Sequence, residues 1–258
     1  MKSVGVVVWL LSVLLLGGCN QGLVQEESDS STGKLGSNKQ NNDASDVYVK
    51  LAYEYLRQGD YTKALKRAKK AVTQGEHNGN AHLVLALVYE TLGENDSANA
   101  AYRRALEVDP RNPYALNAYG SYLCKLDEYQ ESLPYFDKAL QNPLYQTPWV
   151  ALANAGSCAR KAGLNDKAEK YLLQALERNP SYPQALYQMA KLRFDQGKYL
   201  STRAYLERYR DVAQPTADLL YLSILTERKL GNAHQEGSDT LLLKSRFPDS
   251  KQARALGN

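Results

Sequence analysis

Histidine, the side chain most often used for acid–base and metal chemistry at neutral pH, occurs only three times in 258 residues. His77, His82 and His234 share no metal-ligand spacing with one another or with cysteine. HExxH and GxSxG are both missing, and the glycines stand singly rather than in a phosphate-cradling run. Catalysis, a bound metal, a cofactor and a small-molecule substrate are therefore not expected. Phenylalanine (3) and tryptophan (2) are scarce beside 19 tyrosines, so tyrosine must supply the aromatic packing. Charge of one sign is also lacking. The net charge of +4, or about +3 once Lys2 is removed with a leader, is too small and dispersed to argue for nucleic acid. After residue 16 there is no long apolar run, so nothing downstream reads as a membrane span.

What is present begins with Met1-Lys2 and an apolar run from Val4 to Leu16. Roughly 20 residues are needed to cross a bilayer, so this shorter run reads as a signal-peptide core over residues 1–18. It ends in Leu16-Gly17-Gly18-Cys19, which resembles the lipobox of bacterial lipoproteins. That resemblance implies lipidation of Cys19, anchoring by several acyl chains, and, with Asn20 rather than Asp next in line, delivery to the outer membrane. Residues 20–44 are rich in Ser, Asn, Gln and Gly and poor in apolar groups. Such a stretch reads as a flexible tether with a mean span of roughly 25–30 Å.

From residue 45 the chain repeats. Gly59-Asp60-Tyr61, Gly93, Asp127-Glu128-Tyr129, Gly163, Gly197-Lys198-Tyr199 and Gly231 recur in register. Units start at Ser45, Gly79, Pro113, Trp149, Pro183 and Ala217, with spacings of 34, 34, 36, 34 and 34 residues. A 34-residue period is the signature of the tetratricopeptide repeat (TPR), a pair of antiparallel helices. The expected fold is all-α, a superhelical solenoid of six repeats over 45–250 (45–78, 79–112, 113–148, 149–182, 183–216 and 217–250) with a tail at 251–258. Paired alanines such as Ala64 with Ala71 and Ala98 with Ala105 allow close helix approach. Asn112-Pro113 supplies an N-cap and a first-turn proline. Pro134, inside a second helix, should kink it. The repeats leave no room for a catalytic domain.

Cys124 and Cys158 lie on the first helices of repeats three and four, neighbours in such a stack. In an oxidising compartment they would either join, closing a 35-residue loop, or remain as two buried thiols. First helices line the concave face of a right-handed repeat stack, where partners bind. Val49, Tyr53 and Leu56, with Leu83 and Leu87 one repeat on, take groove-facing places, whereas Asn117, Ser121, Ala153 and Ser157 make the middle polar or small. The reading is an apolar groove at the N-terminal end, suited to a partner helix. Its alternative is that the five residues complete a core.

The run Asn117-Ala118-Tyr119-Gly120-Ser121-Tyr122-Leu123-Cys124, then Tyr145, Pro148 and Asn154-Ala155-Gly156-Ser157-Cys158, resembles type IV pilus biogenesis lipoproteins of the PilF/PilW kind. Ala204-Tyr205-Leu206-Glu207-Arg208-Tyr209, Glu227-Arg228-Lys229-Leu230-Gly231 and Phe247-Pro248-Asp249-Ser250 are similar to that family as well. Ser201-Thr202 departs from it, where a small Ala is usual. The resemblance implies a pilotin, lipid-anchored to the outer membrane and facing the periplasm. Its partner would be the secretin of the pilus machine, whose assembly it aids in support of twitching motility. A lipidated adaptor for outer-membrane protein insertion or for peptidoglycan enzymes is the other reading.

Overall fold

The computed structural model describes residues 32–257, with side chains described from residue 44. The twelve repeat helices are α1 (Thr32–Arg57), α2 (Tyr61–Gln74), α3 (Gly79–Leu92), α4 (Asn95–Val108), α5 (Pro113–Lys125), α6 (Tyr129–Leu140), α7 (Pro148–Lys161), α8 (Asn165–Arg178), α9 (Pro183–Asp195), α10 (Tyr199–Val212), α11 (Ala217–Leu230) and α12 (Ala233–Arg246); α13 (Lys251–Ala255) follows. Helices pair consecutively as helix–turn–helix units, and no strand occurs among the described residues. The chain is an all-helical TPR solenoid. Everything from Lys39 onward forms one unit.

Local chemistry sets the helix ends. Asp60, Asn78, Asn112, Thr216 and Asn232 cap helices through side-chain oxygens that accept from free backbone N–H groups. Asn112 accepts from both Tyr114 and Ala115, with Pro113 in the first turn. The turn inside each repeat needs a left-handed residue, which glycine supplies in most repeats, for example Gly93 at φ 76°. In the third repeat Asp127 takes that role at φ 64°. Aspartate tolerates the region better than most residues, and here its carboxylate also accepts from the Tyr129 hydroxyl at 2.6 Å.

Within a repeat the two helices close on small groups. Ala64, Ala98 and Ala168 are wholly buried. A Cβ added at Gly156 would lie 2.6 Å from the Leu172 side chain, so only glycine fits that crossing. Tyr102, Phe136, Leu172 and Leu206 fill one recurring position of the second helices and are fully buried, each contributing on the order of 1.5–3 kcal/mol. Repeats five and six replace some of this grease with ion pairs. Arg203 binds Glu227, and Arg210 binds Asp239, both acids being buried. α6 runs from Tyr129 to Leu140 with Pro134 inside it and exposed, on the side where water can reach the Gln130 carbonyl that Pro134 leaves without a donor.

Two expectations are corrected. The tether expected through residue 44 is helical from Thr32 on, as part of α1. Once packing nucleates the helix beyond Ser45, extending it backward needs no new nucleus, although Gly36, Asn38, Asn41 and Asn42 are poor helix formers. The expected tail at 251–258 contains α13, capped by Ser250, with Ala253 buried among Leu220, Ile224 and Leu243. A polar-looking pentapeptide thus closes the apolar end of the last repeat.

A candidate partner-binding surface

The first helices α3, α5, α7, α9 and α11 touch one another in series, whereas the second helices α4, α6, α8, α10 and α12 do not. A row packed side by side on one face and splayed on the other makes the first helices the inner, concave wall. Residues along them decide what the groove offers.

At the N-terminal end the five apolar candidates separate. Tyr53 is 38% exposed, and Leu56 and Leu87 are half-buried. Val49 and Leu83 are not groove residues, which corrects the expectation. Val49 packs with Ala52, Ala81, Val84 and Val88 in the seam between α1 and α3. Leu83 lies 2% exposed beneath Tyr102, Tyr119 and Tyr122. They stand one turn before Tyr53 and Leu87, where the neighbouring helix covers the side chain rather than leaving it over the groove.

Tyr102 organises this end. Its ring lies 5.5 Å from Tyr119 and 5.2 Å from Tyr122, and Tyr119 meets Tyr135 edge-on at 4.8 Å. The hydroxyls find partners: Tyr102 donates to Glu90, Tyr119 to Asn99 at 2.8 Å, and Tyr122 to the Asn95 carbonyl at 2.8 Å. Glu90 also pairs with Lys125, linking α3 to α5 across the inner face. Burial and the Glu90 charge push the Tyr102 phenol well above its ordinary range. Burial pushes Tyr53, whose hydroxyl lies near Tyr102, up to about 12. Both phenols therefore stay neutral at physiological pH and act as apolar bodies with a hydrogen-bonding tip. The candidate surface at this end is therefore Tyr53, Leu56 and Leu87, with the Glu90–Lys125 pair on the neighbouring helices. That pair went unseen in the sequence, although an acid following the apolar stripe and a lysine 35 residues on were the available signal.

The groove then changes character. Asn154 donates to Asn117 at 3.1 Å, and Ser121 and Ser157 stay half-buried. In the fourth and fifth repeats Arg160 pairs with Asp195 at 2.6 Å, and Lys191 stands over the Tyr187 ring. Between these regions, Cys124 of α5 and Cys158 of α7 are buried with their sulfurs in bonding contact and Cα atoms 5.8 Å apart, a separation a disulfide spans. Ser132 lies 3.2 Å from the Cys158 sulfur. His82 is packed against the Glu76 carbonyl at 2.9 Å, while His77 and His234 are exposed. Among the described residues no group of three His, Cys, Asp or Glu could hold a metal. No described helix is long and apolar enough to cross a membrane. Cys19 lies outside the described residues.

Tetratricopeptide-repeat family models match residues 55–122 and 154–218. A crystal structure of PilW, described as a widely conserved type IV pilus biogenesis factor, is 34% identical in sequence. It superposes with a TM-score of 0.76 over 83% of this chain and 98% of its own. The chain belongs to the PilF/PilW family of TPR proteins. The type IV pilus assembly protein PilF of Pseudomonas aeruginosa is 28% identical over 94% of this chain and 93% of its own length. A structure of P. aeruginosa PilF superposes with a TM-score of 0.73 at 27% identity, over 84% of this chain and 98% of that one. These matches cover 83–94% of this chain.

Proposed function

We propose that this family member serves type IV pilus biogenesis as a pilotin. It binds a segment of the outer-membrane secretin in the N-terminal part of its groove and is held at that membrane by lipid on Cys19. The family supports the biogenesis role. The observation that carries the binding reading is the half-open apolar strip of Tyr53, Leu56 and Leu87 beside Glu90–Lys125. An apolar strip with one ion pair at its edge suits the apolar face of a short amphipathic helix, with the pair fixing its orientation. In the periplasm the Cys124–Cys158 bridge forms and holds repeats three and four at a fixed angle, which keeps the polar middle from deforming the groove.

Replacing Tyr53 and Leu87 together by Ala tests the reading. Truncating a buried anchor commonly costs more than about 1 kcal/mol, so the pair should weaken capture of detergent-solubilised secretin roughly 30-fold or more. Helical circular dichroism and lipidation stay unchanged. Secretin capture at full affinity by a folded double variant would refute the assignment. Mass spectrometry of the mature N-terminus checks the anchor, since an unmodified residue other than Cys19 there would exclude it.

A further inference from the structure

The modest positive charge of this chain is not spread evenly over the fold. α2 carries Lys63, Lys66, Arg67, Lys69 and Lys70 and no acidic residue. Every other second helix, α4, α6, α8, α10 and α12, mixes both signs and comes out near neutral. Lys63 is occupied by Asp60 at 2.7 Å. Among the residues whose side chains are described, no carboxylate pairs with Lys66, Arg67, Lys69 or Lys70 within 4.0 Å. The helix is strictly sided. Ala64, Ala68 and Ala71 are buried against the first repeat, while Lys66, Lys69, Lys70 and Thr73 recur at helical spacing on the open side. Like charges at these spacings repel, so helix stability alone gives no reason for the pattern.

These side chains surround an open cleft of about 480 Å³, lined by Tyr48, Lys66, Arg67, Lys69, Lys70 and Thr73. A cleft of that size with four cations, a hydroxyl and a half-buried tyrosine ring matches a phosphate-bearing headgroup with the start of its acyl chains. Tyr61, 42% exposed at the start of α2, is a side chain suited to a membrane–water interface. The face belongs to an outer helix and is separate from the groove residues described above. Along the chain, the first repeat is also the one nearest to Cys19.

We propose that the open face of α2, at Lys66, Arg67, Lys69 and Lys70, binds the anionic headgroups of the membrane that carries the protein. The proposal rests on the Cys19 anchor only for which membrane that is. Acyl chains give attachment, and the basic face gives orientation: it lays the first repeat on the bilayer and leaves the inner groove open to the periplasm. A polybasic patch is a usual second signal beside an acyl anchor. Each cation held near an anionic surface strengthens partition roughly five-fold.

The mature chain, residues 19–258 with Cys19→Ser, which lacks both the leader and the acyl chains, is mixed with phosphatidylcholine vesicles with or without phosphatidylglycerol, and sedimentation reads the partition. At low salt the anionic vesicles should bind at least about ten-fold more chain, and added salt should erase the difference. The variant K66Q/R67Q/K69Q/K70Q should lose this preference with unchanged helical circular dichroism. A control with four outer-face substitutions elsewhere (K167Q/K170Q/R178Q/K244Q) should keep it. No preference in the parent chain, or a preference that survives in the α2 variant, overturns the proposal. So does a preference lost equally in the control, which would mean net charge alone. If vesicle binding is indifferent to α2 but secretin capture falls in the α2 variant, the face docks an acidic protein and the lipid assignment fails. Loss of secretin binding by the groove variant leaves this test untouched.

Discussion

Lys191 lies half-buried on the inner face of α9, its ammonium 5.5 Å from the centre of the Tyr187 ring. Burial, followed by the nearby Arg160 charge, holds its pKa below the ordinary lysine value, against the opposing pull of Asp195 and Asp218. A lysine whose folded pKa is depressed binds its proton more weakly in the folded chain than in the unfolded one. Stability then rises with pH between the folded and unfolded values, and at neutral pH the charge is a burden on the fold. Lys191→Met, which keeps the stem over Tyr187, should raise the melting temperature at pH 7, with the gain shrinking as pH approaches 10. A lower melting temperature at pH 7 would show that Lys191 gains more from its surroundings than it loses by desolvation. Glu90 illustrates the opposite arrangement. It accepts from Tyr102 and pairs with Lys125, so a half-buried acid on the groove wall has both partners it needs.

Among the elements, α5 and α7 meet where the repeat length changes. The two extra residues of the third repeat form the turn before Pro148, in which Tyr145 is buried edge-on to Tyr114 at 5.2 Å while Leu144 stands 84% exposed. Cys124 and Cys158 stand across this junction with their sulfurs in bonding contact, so a disulfide there would tie α7 back to its neighbour. Closing a 35-residue loop is worth at most about 3–4 kcal/mol in the chain-entropy model. Cys124→Ser should therefore lower the melting temperature of the oxidised protein, on the order of ten degrees at that upper limit. An unchanged melting temperature, or two free thiols by alkylation of unreduced protein unfolded without reductant, would contradict the bridge. α13 does comparable work at the other end by covering Leu220 and Leu243.

For the molecule as a whole, the solenoid was legible because its determinants are local and recur. Small residues at helix crossings such as Ala64 and Ala98, caps such as Asn112 and turn formers such as Gly93 each reappear once per period. The groove was legible only in part. Helical spacing sets the angle of Val49 and Tyr53 around α1 but not which of them α3 covers; Val49 proved to be seam and Tyr53 surface. The Glu90–Lys125 pair depends on two helices meeting, and α13 is too short to show a period. The basic face of α2 was present as five residues in a short stretch, but its meaning depended on knowing that the alanines between them are buried. The central claim, that the N-terminal part of the groove grips the partner, is tested most directly by hydrogen exchange of the full chain with and without purified secretin. Added protection should concentrate in α1, α3 and the end of α5, around Tyr53, Leu87, Glu90 and Lys125, with little change in α9 and α11. Protection confined to α9 and α11, around Lys191 and Arg228, would contradict the account.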